Sequence, residues 1–280
     1  MTAADRPVAG VIGWPVAHSL SPRLHRFWLD RAGIDGFYVP LPVAPGHVAA
    51  ALAGLPALGL RGVNVTVPHK QAVFDALDRV TPVARRAGAV NTVTVAEDGT
   101  LEGTNTDVAG FLGHLRQAAP VWRADAAPAV ILGAGGAARA AAVALLDAGV
   151  ARLVVVNRTV ARAEALALAL GDPRVAVAPW EGLAGALDGA GLLVNTTSLG
   201  MAGQPPLTPD LAPLAADAVV YDIVYVPLET PLLAAARARG LATVDGLGML
   251  IHQGVPAFRA FFGAEAAADA ATRAHLLAAL

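Results

Sequence analysis

The sequence contains no cysteine among its 280 residues. This absence excludes disulfides, thiolate metal sites and a cysteine nucleophile. Charged residues make up only 15% of the chain, the net charge is -2, and aromatic residues make up 5%. No run of Lys and Arg stands out, so the sequence lacks the electrostatic signature of a nucleic-acid-binding protein.

Long apolar runs are also missing, although the mean hydropathy of the chain is +0.55. The longest stretches without ionisable or amide side chains are residues 48–60 and 126–138, and both contain glycine and proline. Both are shorter than the ~18–20 apolar residues that a membrane-spanning helix needs. The first residues show no basic segment followed by an apolar core, as a secretory signal would. We therefore expect a cytoplasmic protein with neither a membrane nor a nucleic-acid partner.

The seven histidines show no spacing that is typical of a metal site. Ser19 and Ser21 lie close to His18, but neither stands in the Gly-x-Ser-x-Gly turn of a hydrolase. We therefore expect neither a bound metal nor serine hydrolysis. Most histidines are expected to be structural or exposed, and His69 is the one expected to border a site.

Short runs rich in Val and Ile alternate with Ala-rich segments, a rhythm that predicts parallel α/β sheets. The first part of the chain predicts strands at 8–12, 37–41 and 61–67, helices at 22–32 and 46–55, and a hairpin of 90–97 with 100–104 around Asp98-Gly99. The second part predicts strands at 129–132, 152–156, 192–195, 218–223 and 242–245, and helices at 108–118, 135–148, 159–170 and 231–239. The tail, 247–280, is predicted to be helical with breaks near Gly254-Pro256 and Gly263. Two α/β units joined near 107 and near 245 are therefore expected, with a cleft between them, which is a favoured ligand site.

The motif Gly133-x-Gly135-x-x-Ala138 follows a predicted buried strand and opens a predicted helix. In a dinucleotide-binding loop, the first glycine permits the tight turn and the second lets backbone N–H groups approach a pyrophosphate. The small third residue lets the helix pack closely on the strand, and the pyrophosphate then sits at the helix N-terminus. The motif predicts a nicotinamide dinucleotide cofactor.

The next predicted strand ends in Asn157 and Arg158, where an NAD enzyme usually carries Asp or Glu for the ribose hydroxyls. Thr159 is predicted to be the N-cap of the following helix, which places Arg162 in its first turn. Two arginines at a helix N-terminus oppose the helix dipole, and a bound phosphate dianion would remove that conflict. The pattern therefore favours NADP over NAD; two solvated arginines are the alternative.

Two segments of the first part carry polar groups in a suggestive order. Ser19 and Ser21 precede Pro22, and Ser21 is predicted to cap a helix that begins at Pro22. Such a hydroxyl pair at a helix N-terminus suits a carboxylate, although a well-capped helix alone also explains it. In GVNVTVPHK, residues 62–70, Val63, Val65 and Val67 predict the buried face of a strand, with Asn64 and Thr66 on the other face. Pro68 is predicted to start a helix, which places Lys70 in its first turn.

Nine motifs in order resemble those of the shikimate dehydrogenase family: GWPVAHSLSP (13–22), VNVTVPHK (63–70), GAVNTV (88–93), GTNTDVAGF (103–111), GAGGAAR (133–139), NRTVAR (157–162), NTTSLGM (195–201), YDIVYVPLETPLL (221–233) and DGLGMLIHQ (245–253). They span nearly the whole chain. The chain departs from the family pattern at Trp14, where a small or polar residue is usual, and at Thr196, where alanine is common. Gly254 and Pro256 interrupt an expected helix, which bears on the placement of Gln253.

The resemblance implies an α/β fold of two α/β domains with a cleft between them. The substrate-binding domain would comprise 1–107 plus 246–280, and the Rossmann-like NADP-binding domain 108–245. The implied activity is the reversible reduction of 3-dehydroshikimate to shikimate with NADP(H), in chorismate and aromatic amino acid biosynthesis. Lys70 would exchange a proton with the reacting oxygen, and Asp107 would orient the lysine.

The resemblance also implies the binding residues. The substrate contacts are Ser19, Ser21 and Tyr225 near the carboxylate, and Asn64, Thr66, Asn91, Asp107 and Gln253 at the ring hydroxyls. The cofactor contacts are Gly133, Ala134, Gly135, Gly136, Ala137, Asn157, Arg158, Thr159, Arg162, Thr196, Ile223, Gly246 and Met249. Quinate or an aminoshikimate remains an alternative substrate, and a non-enzymatic NADP(H) sensor is a more distant alternative. The sequence does not fix the oligomeric state, and a homodimer is among the assemblies it allows.

Overall fold

The computed structural model describes residues 6–280, and this part of the chain forms two compact units. Unit 1 extends to Thr106 and resumes at Ile251–Ala279, whereas unit 2 comprises Asp107–Leu250 and Leu280. No helix among residues 6–280 is long and apolar enough to cross a membrane.

Unit 1 is built on a six-stranded sheet. Its strands are β1 (Val8–Gly13), β2 (Phe37–Pro42), β3 (Leu60–Val65), β4 (Arg79–Val80), β5 (Thr92–Val95) and β6 (Leu101–Thr104). Its helices are α1 (Ser21–Ala32), α2 (Val48–Gly54), α3 (Lys70–Ala76) and α4 (Pro82–Ala87). The strand order is β2-β1-β3-β5-β6-β4; β1 runs parallel to β2 and β3, and β5 runs antiparallel to β3 and β6.

Unit 2 is built on a second six-stranded sheet, in which every pair is parallel. Its strands are β7 (Ala129–Leu132), β8 (Leu153–Asn157), β9 (Val175–Pro179), β10 (Leu192–Asn195), β11 (Val219–Asp222) and β12 (Ala242–Val244). Its helices are α5 (Asp107–Ala118), α6 (Gly136–Ala148), α7 (Val160–Leu170), α8 (Leu183–Leu187) and α9 (Pro231–Ala238). The order is β12-β11-β10-β7-β8-β9. This doubly wound, Rossmann-like arrangement places its topological switch point between β7 and β10.

The C-terminal part of the chain forms two helices, α10 (Gly246–Phe262) and α11 (Ala270–Leu277). The predicted break near Gly254-Pro256 is wrong, because α10 continues through both residues, whereas it ends before Gly263 as predicted. Gly254 is needed where the helix packs on α1, since a Cβ there would lie 2.9 Å from Leu24 Cδ2 and 3.0 Å from Trp28.

The predicted buried face of β3 is confirmed only in part. Val63 and Val65 are buried, but Val67 is 70% exposed because β3 ends at Val65. The strands β4 and β9 and the helices α4 and α8 were not predicted, since each is short and lacks a clear periodic pattern.

Candidate functional site

Unit 1 places four of the predicted substrate contacts, Ser19, Ser21, Asn64 and Thr66, near the carboxyl ends of β1 and β3, its own switch point. The backbone N–H of Trp14, just after β1, donates to the carbonyl of Val67 at 3.1 Å, and the N–H of Thr66 donates to Ile12 at 2.9 Å. Ser19 and Ser21 follow β1, while Asn64 and Thr66 stand at the end of β3. In open α/β sheets this edge is where ligands bind.

Asn64 is 6% exposed, and both the nitrogen and the oxygen of its amide make hydrogen bonds. Its Nδ2 donates to Thr92 Oγ1 at 2.9 Å and to the carbonyl of Asn91 at 3.2 Å. Its Oδ1 accepts from the hydroxyl of Tyr38 at 2.7 Å. Because both amide hydrogens are used, the remaining lone pair of Oδ1 is the position at which Asn64 could accept a hydrogen bond from a ligand hydroxyl.

Asn91 is the centre of the same network and is 2% exposed. Its Nδ2 donates to Thr106 Oγ1 at 2.9 Å and to Gln253 Oε1 at 3.3 Å. Its Oδ1 accepts from the Thr106 N–H at 2.7 Å and from Thr92 Oγ1 at 3.1 Å. The residue just before β5 thus ties together β5, the end of β6 and helix α10. The continuous α10 keeps Gln253 in this network despite Pro256.

Lys70 is the first residue of α3, and His69 is its N-cap. The prediction that Pro68 starts this helix is therefore wrong by two positions, although Lys70 does lie in the first turn. His69 is buried, and its Nε2 lies 2.7 Å from the carbonyl of Val43. The carbonyl of Lys70 accepts from Val90 N–H at 2.9 Å. The lysine backbone is thus fixed beside the buried network, and its side chain is half-buried.

Ser21 is not the N-cap of α1, contrary to the prediction. The N-cap is Leu20, whose backbone is helical, and Ser21 and Pro22 are the first two helical residues. The hydroxyl of Ser21 instead lies beside the hydroxyl of Tyr38, a side chain whose pKa is raised well above its usual value by burial. The hydroxyl of Ser19 accepts from the backbone N–H of Ser21 at 3.3 Å, so the two serines form one small polar group.

In unit 2 the glycine loop follows β7 at the switch point. Gly133 has φ +110°, and a Cβ there would lie 2.6 Å from Thr196 Oγ1, just after β10. Thr196 Oγ1 itself donates to the carbonyl of Leu132 at 2.6 Å, which closes the loop on β7. The threonine found where alanine is common therefore has a structural bond of its own. Ala134, Gly135, Gly136 and Ala137 carry the chain from this turn into α6.

The residues predicted for the adenosine phosphate stand in solvent. Arg158 and Arg162 are exposed, and Thr159 is the N-cap of α7 as predicted, although its side chain makes no capping bond within residues 6–280. Asn157 Nδ2 donates to the carbonyl of Thr159 at 2.8 Å, so the amide shapes the turn that carries both arginines. No acidic side chain follows β8 in this turn.

The remaining predicted residues of unit 2 lie at other strand and helix ends. Asp107 is the first residue of α5 and is 4% exposed. Tyr225 is half-buried after β11. Gly246 opens α10, where a Cβ would lie 2.0 Å from the carbonyl oxygen of Ile223, and Met249 follows one turn later and is 7% exposed.

Three members of the unit 1 network were not predicted from the sequence: Tyr38, Thr92 and Thr106. Tyr38 lies on β2, where only its alternation with exposed neighbours gave a signal. Thr92 and Thr106 stand inside quoted motifs, next to Asn91 and Asp107, and spacing alone did not distinguish them from strand residues. All three are buried and hydrogen-bonded through their hydroxyls.

The described residues fit NADP(H) at the unit 2 loop and do not suggest a metal. A Cβ on Gly135 would meet no described atom within 4 Å, which leaves the backbone at the start of α6 open to a phosphate. The two exposed arginines supply planar cations for a further phosphate. Among the described His, Asp and Glu side chains, no group of three or more could hold a metal ion.

Family models match three segments of the chain. The shikimate dehydrogenase substrate binding domain matches residues 11–93, shikimate / quinate 5-dehydrogenase matches 117–201, and the shikimate 5'-dehydrogenase C-terminal domain matches 246–274. The shikimate dehydrogenase (NADP(+)) of Rhodospirillum rubrum is 62% identical over 280 residues, which cover 99% of each chain.

Two solved structures extend this similarity to the fold. Shikimate 5-dehydrogenase from Thermus thermophilus, in complex with NADP(H) and shikimate, is 39% identical with a TM-score of 0.85 over 98% of this chain and all (100%) of that one. Quinate dehydrogenase from Corynebacterium glutamicum, in complex with NAD, is 35% identical with a TM-score of 0.89 over 98% of this chain and 99% of that one. With matches along its whole length, the chain belongs to the shikimate dehydrogenase family.

Proposed function

We propose that the buried amide and hydroxyl network of unit 1 binds shikimate or 3-dehydroshikimate, and that Lys70 exchanges the proton of the reaction. The activity itself follows from the family: the enzyme is an NADP-dependent oxidoreductase that interconverts 3-dehydroshikimate and shikimate. The predicted family, fold, cofactor and reaction are therefore confirmed by the curated relatives. The roles of individual residues and of each domain are our proposal.

The observation that carries the substrate proposal is the chemical character of the network. Asn64, Asn91, Thr106 and Gln253 are buried, uncharged groups with fixed donor and acceptor directions. A polyhydroxylated ring offers hydroxyls that both donate and accept, so such groups can orient it without a charge. The Ser19 and Ser21 hydroxyls add donors suited to a carboxylate, and Thr66 completes the edge of β3. Asp107 and Tyr225 are proposed as further substrate contacts.

The proton step is assigned to Lys70. In the reducing direction its ammonium donates a proton to the carbonyl oxygen of the substrate, and in the oxidising direction its amine accepts the proton of the hydroxyl. NADPH supplies the hydride when it is bound. The positioned general acid contributes about 10²–10⁴-fold to the rate in enzymes of this kind. The proposed role of Asp107 is to orient Lys70 and to accept a hydrogen bond from a neighbouring hydroxyl of the substrate.

Cofactor recognition is assigned to the loop after β7 and the turn after β8. Gly133 to Ala137 would present backbone N–H groups to the pyrophosphate, and Arg158 and Arg162 would bind the 2′-phosphate. Asn157, Thr159, Thr196, Ile223, Gly246 and Met249 complete the proposed contacts. The exposure of both arginines supports this proposal, because a phosphate must reach them from solvent.

Quinate with NAD is a second candidate, because the quinate dehydrogenase of Corynebacterium glutamicum shares the fold at 35% identity. Quinate differs from shikimate by an extra hydroxyl and a saturated ring. The two arginines in the turn after β8, where NAD enzymes carry an acidic residue, favour NADP in this chain.

A steady-state assay with four pairings tests the proposal. The purified protein should oxidise shikimate with NADP⁺, seen as growth of NADPH absorbance, with a higher kcat/KM than shikimate with NAD⁺ or quinate with either cofactor. Higher kcat/KM with quinate would overturn the substrate assignment, and equal kcat/KM with NAD⁺ would overturn the role of Arg158 and Arg162. The cytoplasmic location, the homodimer, the cleft and the division of roles between domains stay predictions.

A further inference from the structure

His25 is a buried histidine that the proposed reaction does not use. The residue is 0% exposed, and neither ring nitrogen has a hydrogen-bond partner within residues 6–280. A buried polar group left without a partner costs about 1–3 kcal/mol. Hydrogen bonding within the described chain therefore does not explain why a histidine stands here, and its ring contacts must be considered.

The imidazole of His25 stacks face to face on the ring of Tyr38. The ring centroids are 3.9 Å apart and the planes differ by only 7°. The rings of Trp28 and Phe258 also pack near the imidazole. Their centroids lie 5.6 Å and 5.8 Å from its centroid, at larger interplanar angles. Burial lowers the pKa of His25 to about 3, so the ring is neutral near pH 7. A flat, uncharged imidazole ring thus packs against one face of the Tyr38 ring.

The hydroxyl of Tyr38 joins two groups that are proposed to touch the substrate. It donates to Asn64 Oδ1 at 2.7 Å, and the hydroxyl of Ser21 lies beside it. Ser21 and His25 are one turn apart on α1 and therefore share a face of the helix. Helix α1 thus places His25 against the ring plane of Tyr38 and Ser21 beside the Tyr38 hydroxyl.

We propose that His25 is a positioning residue for the substrate and acts through Tyr38. The stack fixes the Tyr38 hydroxyl, and that hydroxyl fixes the direction of the Asn64 amide through its hydrogen bond to Oδ1. Misplacement of reacting or binding groups by about 1 Å can cost on the order of 100-fold in rate. The inference rests on the proposed substrate site and adds a residue that contacts neither substrate nor cofactor.

The test compares two substitutions of the same residue. His25→Phe keeps an aromatic plane against Tyr38, whereas His25→Leu removes the plane but keeps an apolar side chain. We expect His25→Leu to raise KM for shikimate about tenfold, equivalent to about 1.4 kcal/mol. KM for NADP⁺ should stay within about twofold of wild type, and His25→Phe should restore KM for shikimate to within about twofold.

Phe262→Leu is the matched control. Phe262 lies 6.3 Å from His25 in the same aromatic cluster. This variant should lower thermal stability without a selective change in KM for shikimate. An equal rise in KM for shikimate in the control would mean that general loosening of the cluster, not the stack on Tyr38, is responsible, and would overturn the proposal. So would an unchanged KM in His25→Leu.

Tyr38→Phe keeps the test decisive if His25→Leu does not fold. It retains the stack and removes only the hydroxyl that the stack is proposed to place, so KM for shikimate should rise. An unchanged KM would overturn the proposal. Failure of the proposed function is distinguishable, because in that case wild-type protein itself would not oxidise shikimate.

Discussion

Asn64 and Asn91 in unit 1 are 6% and 2% exposed and bonded to other protein groups, whereas Arg158 and Arg162 in unit 2 stand in solvent. The first pair sits in a network assembled before any ligand arrives. The second pair occupies a turn that Asn157 shapes, and neither arginine forms an ion pair within residues 6–280. The contrast suggests two modes of recognition: fixed directions of uncharged groups for the substrate, and charge with open backbone for the cofactor.

Lys70 is the proposed proton donor beside the unit 1 network. Its replacement should have the largest effect on the rate. Lys70→Ala should lower kcat by about 10²–10⁴-fold, because the proton donor is lost. KM for NADP⁺ should change little. The matched variant Lys70→Arg should be nearly as slow, since a guanidinium is not deprotonated in proteins. Steady-state kinetics check both, and a wild-type kcat in Lys70→Arg would show that charge alone is sufficient.

The cofactor half of the comparison is tested at the arginines. Arg158→Ala together with Arg162→Ala should raise KM for NADP⁺ about 10–100-fold, because hydrogen bonds to charged groups contribute roughly 1.5–3 kcal/mol. KM for NAD⁺ should stay near wild type. The exposed Arg116 on α5 is the control position, where alanine should leave KM for NADP⁺ unchanged.

Ionic strength separates the two modes further. The arginine effect should shrink in high salt, because exposed charges are screened over about 10 Å at 0.1 M. KM for shikimate should show a weaker salt dependence, since most of the buried groups proposed to hold the ring, among them Asn64 and Asn91, are uncharged. A salt-independent ratio of NADP⁺ to NAD⁺ affinity would contradict the charge-based mode.

The buried network should also support the fold, unlike the arginines. Asn91→Ala would orphan several partners at once, among them the Thr106 N–H. Each buried group left without a partner costs about 1–3 kcal/mol, so the free energy of unfolding should fall by at least that amount. Urea unfolding measures it, with Arg158→Ala as the control that should leave stability unchanged. Equal stability of the two variants would remove the distinction between the regions.

The last expected effect is the pH dependence that His25 brings to the stability of unit 1. Burial lowers its pKa to about 3 in the folded chain, from an ordinary value of 6.5. A lowered histidine pKa favours the neutral form, so its contribution to stability is complete above pH 6.5 and is lost as the pH falls. The loss should be about 1.4 kcal/mol per pH unit below 6.5. Tyr38, the ionisable ring stacked on His25, stays neutral in this pH range because burial raises its pKa.

Comparison of the wild type with His25→Phe isolates this effect. Urea unfolding at pH 7 and at pH 5 should show a smaller loss of stability in the variant, because phenylalanine does not titrate. Identical losses would mean that His25 is protonated in the folded chain or is no longer buried at pH 5.

Much of the fold was predictable because local patterns and tertiary structure agree. The strand at 129–132 matches β7 in both bounds, and the glycine loop after it opens α6 within one residue of the predicted start. Gly133 illustrates why: a positive φ and a close approach to Thr196 both require glycine, so the motif records the geometry directly.

The missed features depend on contacts that no local pattern records. The prediction that Ser21 is the N-cap is wrong because the preceding residue, Leu20, already has a helical backbone in the loop after β1. Helix α10 continues through Gly254 because the absent Cβ makes room for Leu24 and Trp28. Tyr38 and His25 carry no motif at all, and only the packing of β2 on α1 brings them to the candidate site.

The saturation of Asn91 has a thermodynamic consequence. Both of its amide hydrogens and both of its oxygen lone pairs already have protein partners. A substrate hydroxyl that binds there must replace one partner rather than fill a vacancy, so bonds made and broken nearly cancel in enthalpy. Asn91 is then a source of orientation rather than of affinity. Calorimetric titrations of the wild type with shikimate and with an analogue that lacks that hydroxyl should therefore give similar heats of binding.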